Sequence, residues 1–117
     1  MNQEYIRYRQ YTPDGFMYWG YGIYATAWER FAGPLKDYDS EPYIGLQDHR
    51  NIRMYVGDIV QADLQGDEDT MVTGPVKFDM GQYVIMTEDG VGHSTAQLRR
   101  DGWTLMILGN IHEGSAA

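Results

Sequence analysis

From Tyr43 to Val60 the chain reads Tyr-Ile-Gly-Leu-Gln-Asp-His-Arg-Asn-Ile-Arg-Met-Tyr-Val-Gly-Asp-Ile-Val, its densest run of structural punctuation. Two short apolar runs flank a polar corner at Gly45 to Asn51. A second corner, Val56-Gly57-Asp58, opens a new strand. Asp58, directly after Gly57, has the side chain to hydrogen-bond the backbone of its own turn. The segment reads as the beginning of a small β-barrel.

The flanking sequence continues in the same style. Tyr5 to Tyr11 alternates as a strand. Thr12-Pro13-Asp14-Gly15 then supplies a hairpin turn, with proline presetting φ and glycine taking the left-handed position. Phe16 to Trp19 returns the chain. Tyr24, Ala27, Trp28 and Phe31 lie on one helical face, yet the same run also fits a strand, the reading preferred here. Lys36 to Pro42 is polar, acidic and ends in proline, so it reads as a loop or short linker. It separates an N-terminal aromatic, β-rich section, residues 1–42, from a main section, residues 43–117.

Beyond Val60, strands are expected over Ile59 to Leu64, Met71 to Thr73, Val76 to Phe78 and Gly81 to Thr87. Val60, Ala62 and Leu64 share one face, as do Val76 and Phe78. Gly74-Pro75 reads as a corner and Glu88-Asp89-Gly90 as a hairpin turn. A short strand is expected near Ala96 to Leu98. The longest β candidate, Trp103 to His112, is apolar on both faces, which calls for cover by the N-terminal section or by another subunit. Gly114 to Ala117 reads as a tail. Ten tyrosines, three tryptophans and fourteen glycines in 117 residues agree with this strand-and-turn pattern. The fold class is mainly β, a small barrel or sandwich.

Composition narrows the function classes. There is no cysteine, which excludes a zinc-thiolate site and any need for an oxidising compartment. The N-terminus lacks the apolar core of a signal peptide, and the longest apolar run, Leu105 to Leu108, is far too short to span a bilayer. A soluble, cytoplasmic protein is expected, with no membrane partner. Residues 1–60 carry eight acidic and six basic side chains, and residues 61–117 carry nine and three. Such acidity disfavours direct nucleic-acid binding.

Chemistry-bearing motifs are scarce. His49, His93 and His112 show no ligand spacing, so no metal or cofactor is expected. Asp67-Glu68-Asp69 lacks the alternating ligands of a calcium loop and reads as a solvated acidic loop. Gly90-Val91-Gly92-His93-Ser94 has no Walker lysine, and no helix is expected behind it. His93 and Ser94 are strand neighbours pointing to opposite faces, a poor base and nucleophile. No catalytic residue is assigned. The aromatic cluster Tyr18, Trp19, Tyr21, Tyr24 and Trp28, together with Trp103, forms the candidate interface, since tyrosine and tryptophan give large contact area at low entropic cost.

Three ordered motifs carry a resemblance. Tyr43 to Val60 is similar to a Tyr-Thr-Gly-Leu-Lys-Asp-Lys-Asn-Gly-Lys-Glu-Ile-Tyr-Glu-Gly-Asp-Ile-Val stretch. Gly74-Pro75-Val76-Lys77-Phe78 fits a Gly-x-Val-x-Phe step. Gly109-Asn110-Ile111-His112-Glu113 fits a Gly-Asn-Ile-Tyr/His-Glu segment, and Ile6-Arg7-Tyr8-Arg9 an Ile-Lys-Phe-Arg start. In these motifs the chain resembles the YopX family of small bacteriophage and prophage proteins. Two departures fall at turns: Arg50-Asn51 replaces Asn-Gly, leaving Asn51 to take a positive φ, and Gly114-Ser115 replaces Asn-Pro. The resemblance implies an SH3-like barrel with an N-terminal part and no known biochemical activity. It implies structural roles for Gly45, Leu46, Asp48, Gly57, Asp58, Gly109 and Asn110.

The expected function is therefore a non-enzymatic protein-interaction or self-assembling module. Its expected partners are further copies of itself or a host or phage protein. The alternatives are an acidic regulator that mimics nucleic acid and, more weakly supported, a small hydrolase-like enzyme.

Overall fold

A computed structural model describes residues 5–22, 40–64 and 70–115. The chain divides into two units, Met1–Tyr43 and Ile44–Ala117. The sequence-based seam lies one residue earlier.

In the first unit, β1 (Tyr5–Thr12) and β2 (Gly15–Gly22) form an antiparallel hairpin in register from Tyr5↔Gly22 to Thr12↔Gly15. The Pro13-Asp14 turn is closed by Thr12, whose Oγ1 accepts from the Asp14 amide at 3.1 Å and donates to the Gly15 carbonyl at 2.9 Å. Glu41 and Pro42, expected to lie in the linker, instead open β3 (Glu41–Gln47) and pair with Arg9 and Tyr8. Arg9 explains the extension. Its Nε donates to Glu41 Oε1 at 2.9 Å in a buried ion pair, and its guanidinium lies 4.2 Å from the Phe16 ring centroid. A buried charge pair needs such close partners on every side.

The second unit is built on a six-stranded sheet curled into a half-barrel. Its strands are β5 (Asp58–Asp63), β6 (Val72–Asp79), β7 (Gln82–Met86), β8 (Gly92–Ser94), β9 (Thr104–Asn110) and β10 (Gly114–Ser115). Their order is β10-β9-β5-β6-β7-β8. A short strand, β4 (Arg53–Tyr55), lies beside β3. The core gathers Ile44, Met54, Val60, Ala62, Val72, Val76, Ile85, Leu98 and Leu105. Among the described residues Met54, Ile85 and Leu105 are the largest side chains fully removed from water, each worth about 1.5–3 kcal/mol. Strict alternation in β5 buries Asp58, Val60 and Ala62 on one face. Leu64, expected on that face, sits just past the end of β5 and is exposed.

Several expectations are corrected. Gly45 is not a corner. It sits inside β3 with φ +89°, and the strand runs on to Gln47. The turn comes later, at Asp48 to Ile52, where the Asp48 amide donates to the Ile52 carbonyl at 2.8 Å. Gly74-Pro75 is not a corner either, because β6 runs through it. A Cβ on Gly74 would lie 2.0 Å from the Met86 carbonyl oxygen, so the glycine is there for close backbone approach. Pro75 is tolerated because the ladder to β7 begins one residue later, at Val76↔Ile85.

The strand expected near Ala96 to Leu98 is a helix, α1 (Thr95–Arg100), and so a helix does follow the segment Gly90 to Ser94, which ends in β8. Gly81, expected to begin a strand, completes a turn before β7. The long C-terminal strand is confined to Thr104–Asn110, and Ile111 is exposed in the turn that follows. Gly114 and Ser115, expected to be a tail, pair with Asn110 and Gly109. The helix-or-strand choice at Tyr24 to Phe31 and the loop at Asp67 to Asp69 lie outside the described residues. No helix among the described residues is long and apolar enough to cross a membrane.

Candidate functional site

Asp48 anchors the turn after β3. Its side chain is fully buried. Oδ1 accepts from the amides of Arg50 at 2.8 Å and Ile52 at 3.1 Å. Oδ2 accepts from the Ile107 amide at 3.2 Å and from Arg50 Nε and Nη2 at 3.2 and 3.0 Å. Arg50 Nη2 also reaches the Ile107 carbonyl at 2.8 Å, and the His49 amide donates to Leu105 at 2.9 Å. The turn is thereby stitched to β9. Burial pushes the Asp48 carboxyl up, and the Ile52, Ile107 and Arg50 hydrogen bonds outweigh it, holding the group below the usual carboxylate range. Asn51 takes φ +64° in this turn, a conformation that asparagine tolerates well.

Two further motif residues do local structural work of the same kind. Asp58 Oδ2 accepts from the Tyr55 amide at 2.8 Å, closing the turn in which Gly57 takes φ +96°. Asn110 Oδ1 accepts from the amides of His112 and Glu113 at 3.0 and 2.9 Å, and its Nδ2 donates to Glu113 Oε1 at 2.9 Å. Leu46 packs on the core, and Gly109 pairs with Ile59 at a register shift between β5 and β9. In each of these turns a motif side chain accepts from backbone amides.

Of the candidate interface residues, the side chains of Tyr18 and Trp103 are described. Tyr18 is 59% exposed on β2, its ring 6.0 Å from that of Phe16. Trp19 and Tyr21 occupy β2 opposite Tyr8 and Ile6, with side chains outside the described part. Tyr24 and Trp28 lie outside the described residues. Trp103 is half-buried against the core and lines a small polar recess of about 260 Å³ with Asp48, His49 and Arg99. Ser94 caps α1, its Oγ accepting from the Gln97 amide at 3.3 Å, so it serves as a helix cap. Among the described residues no three His, Asp or Glu side chains gather as a metal-binding group.

The surface that remains open is elsewhere. β6 and β7 are joined by the two-residue turn Met80-Gly81, both at positive φ (+50° and +85°). Two positive φ values define the turn type that suits hairpin twist and favours Asn-Gly. Cross-strand pairs alternate along the hairpin. Val76↔Ile85 is fully buried, and Phe78↔Tyr83, two residues on, continues the same face. Its rings meet edge to face at 5.2 Å. Yet Phe78 is 62% exposed and Met80 at the tip is 92% exposed. The core face thus runs outward past its cover.

Beside this ridge lies an open groove of about 540 Å³. Ile44, Leu46, Tyr83 and Ala96 give it apolar walls, and Gln82 and Arg100 add polar groups at its edge. α1 forms one side because Ser94 caps it and Thr95 Oγ1 donates to the Tyr83 carbonyl at 3.2 Å. Sequence reasoning placed Val76 and Phe78 on one face and did not single out Met80. The signal available was a methionine where a hairpin turn wants asparagine. No family model, curated protein or solved structure matches this chain.

Proposed function

We propose that the chain is a non-enzymatic protein-interaction module that docks through the β6–β7 hairpin. The observation that carries this is the outward continuation of the core face at Phe78 and Met80. An exposed apolar ridge beside an apolar groove is costly to keep in water and typical of a contact surface. The engagement of Asp48, Asp58 and Asn110 by backbone amides supports the non-enzymatic side of the reading. These polar side chains of the main motifs are engaged in holding turns.

The same reading takes the chain as a YopX-like phage or prophage protein acting in the host cytoplasm, with an SH3-like barrel in its second unit. The ordered motifs from Tyr43 to Glu113 support it. The test uses wild-type chain and a Phe78→Ser/Met80→Ser variant as tagged baits in host cells that also express an untagged copy. A stoichiometric protein, either the untagged copy or a distinct one, should be held by the wild type and lost by the variant. Equal recovery on both baits, or no stoichiometric protein on either, contradicts the proposal.

A further inference from the structure

The hairpin ridge and the groove complement each other in apolar character and in charge. The ridge offers Phe78 and Met80, with Asp79 between them in sequence and on the other face of the strand, all exposed. The groove is lined by the apolar Ile44, Leu46, Tyr83 and Ala96 and by the exposed Arg100. Among the described residues the side chains of Asp79 and Arg100 have no hydrogen bond or ion pair. Arg100 is one of only three basic residues after Gln61, beside nine acidic ones. A lone cation against an apolar wall suits an apolar segment carrying one carboxylate, which is the composition of the chain's own hairpin tip.

Backbone strain at the tip points the same way. Met80 holds φ +50°, a region where bulky side chains are seldom found and where asparagine or glycine would sit without strain. Residues kept in such conformations mark places where something other than local stability decides the side chain.

We infer that a second copy of this chain fills the groove, in a two-fold dimer where each copy lends its Phe78-Asp79-Met80 tip and receives its partner's. Gln82 and Tyr83 belong both to the hairpin and to the groove wall. Ridge and groove are therefore side by side, and a two-fold axis between them satisfies both at once. Asp79 of one copy pairs with Arg100 of the other, twice per dimer. This inference rests on the hairpin being the docking surface and adds the identity of its occupant.

Charge reversal tests it. Asp79→Arg and Arg100→Asp are both surface changes, and thermal unfolding of each variant checks that the fold is kept. In sedimentation velocity at hundreds of micromolar the wild type should sediment as a dimer. Each variant alone should be monomeric or at least about tenfold weaker in association, because like charges then face each other at both contacts. An equimolar mixture of the two variants should recover dimers, since the mixed pair holds one native and one reversed ion pair. A monomeric wild type, unaffected single variants, or a mixture that stays as weak as its components would each overturn the inference. A monomeric wild type whose Phe78→Ser/Met80→Ser form loses a distinct captured protein would overturn the dimer and leave the docking surface standing.

Discussion

Replacing Asp48 by alanine leaves three amide N–H groups, on Arg50, Ile52 and Ile107, without their acceptor. Each such loss costs about 1–3 kcal/mol when water cannot substitute. Partial water entry at the turn limits the sum, and a loss of about 3 kcal/mol is expected for Asp48→Ala, read as a lower urea midpoint at constant slope. Asp48→Asn keeps one carbonyl acceptor and should lose about half as much.

The acid dependence follows from the depressed carboxyl. The unfolded group protonates near its ordinary value of 3.8, and the folded group below that. Between those two values the unfolded chain binds more protons, so falling pH drains stability through that window. Above 3.8 the contribution is fully present. Asp48→Asn should flatten this part of the stability profile relative to wild type. An unchanged acid slope in the variant would mean the carboxylate is not held as described. This residue was legible in the sequence only as part of a motif. That Asp58 would hydrogen-bond its own turn followed from residue type, and that Asn51 would take a positive φ followed from the motif resemblance. The link from Asp48 to Ile107 is long-range and leaves no local mark.

At the scale of elements, the β6–β7 hairpin carries two predictions of opposite sign. Gly74→Ala places a methyl against the Met86 carbonyl oxygen, and the two backbones must part. A destabilisation of about 3 kcal/mol or more is expected by urea titration, at the upper end of overpacking costs. Met80→Asn relieves the positive-φ strain in the turn and should stabilise by up to about 1 kcal/mol. If Met80 serves docking, the same change should weaken self-association while it raises the melting temperature. A variant that gains stability and keeps its association would show the methionine to be incidental.

Elements were legible where turn chemistry is local. Thr12 to Gly15 and Glu88 to Gly90 close hairpins as their residues dictate, the latter through Gly90 N to Thr87 O at 2.9 Å. Glycine and proline misled where tertiary contact decides. Gly74-Pro75 looks like a corner, but the approach of Met86 from β7 requires the glycine and the late start of the ladder admits the proline. The helix Thr95–Arg100 is too short for periodicity to register. Its cap spacing, Ser94 to Gln97, was the signal available.

For the whole molecule, the sequence conveyed a mainly β chain with a division near Tyr43, and it drew the candidate interface to Tyr18, Trp19, Tyr21, Tyr24, Trp28 and Trp103. Composition drew attention there, since aromatic density is visible in one dimension. The hairpin ridge is not, because Phe78 sits in phase with the buried Val76 and is exposed only because the core cover ends before it. The docking surface proposed here is made of position more than of residue type. Sedimentation equilibrium of the untagged wild-type chain, from low to high micromolar, tests that account most directly. It predicts a mass rising from the 13.4 kDa of one chain toward twice that value and no further, since a two-fold exchange closes on itself. A mass fixed at one chain throughout, or one that climbs past the dimer without a plateau, would contradict it.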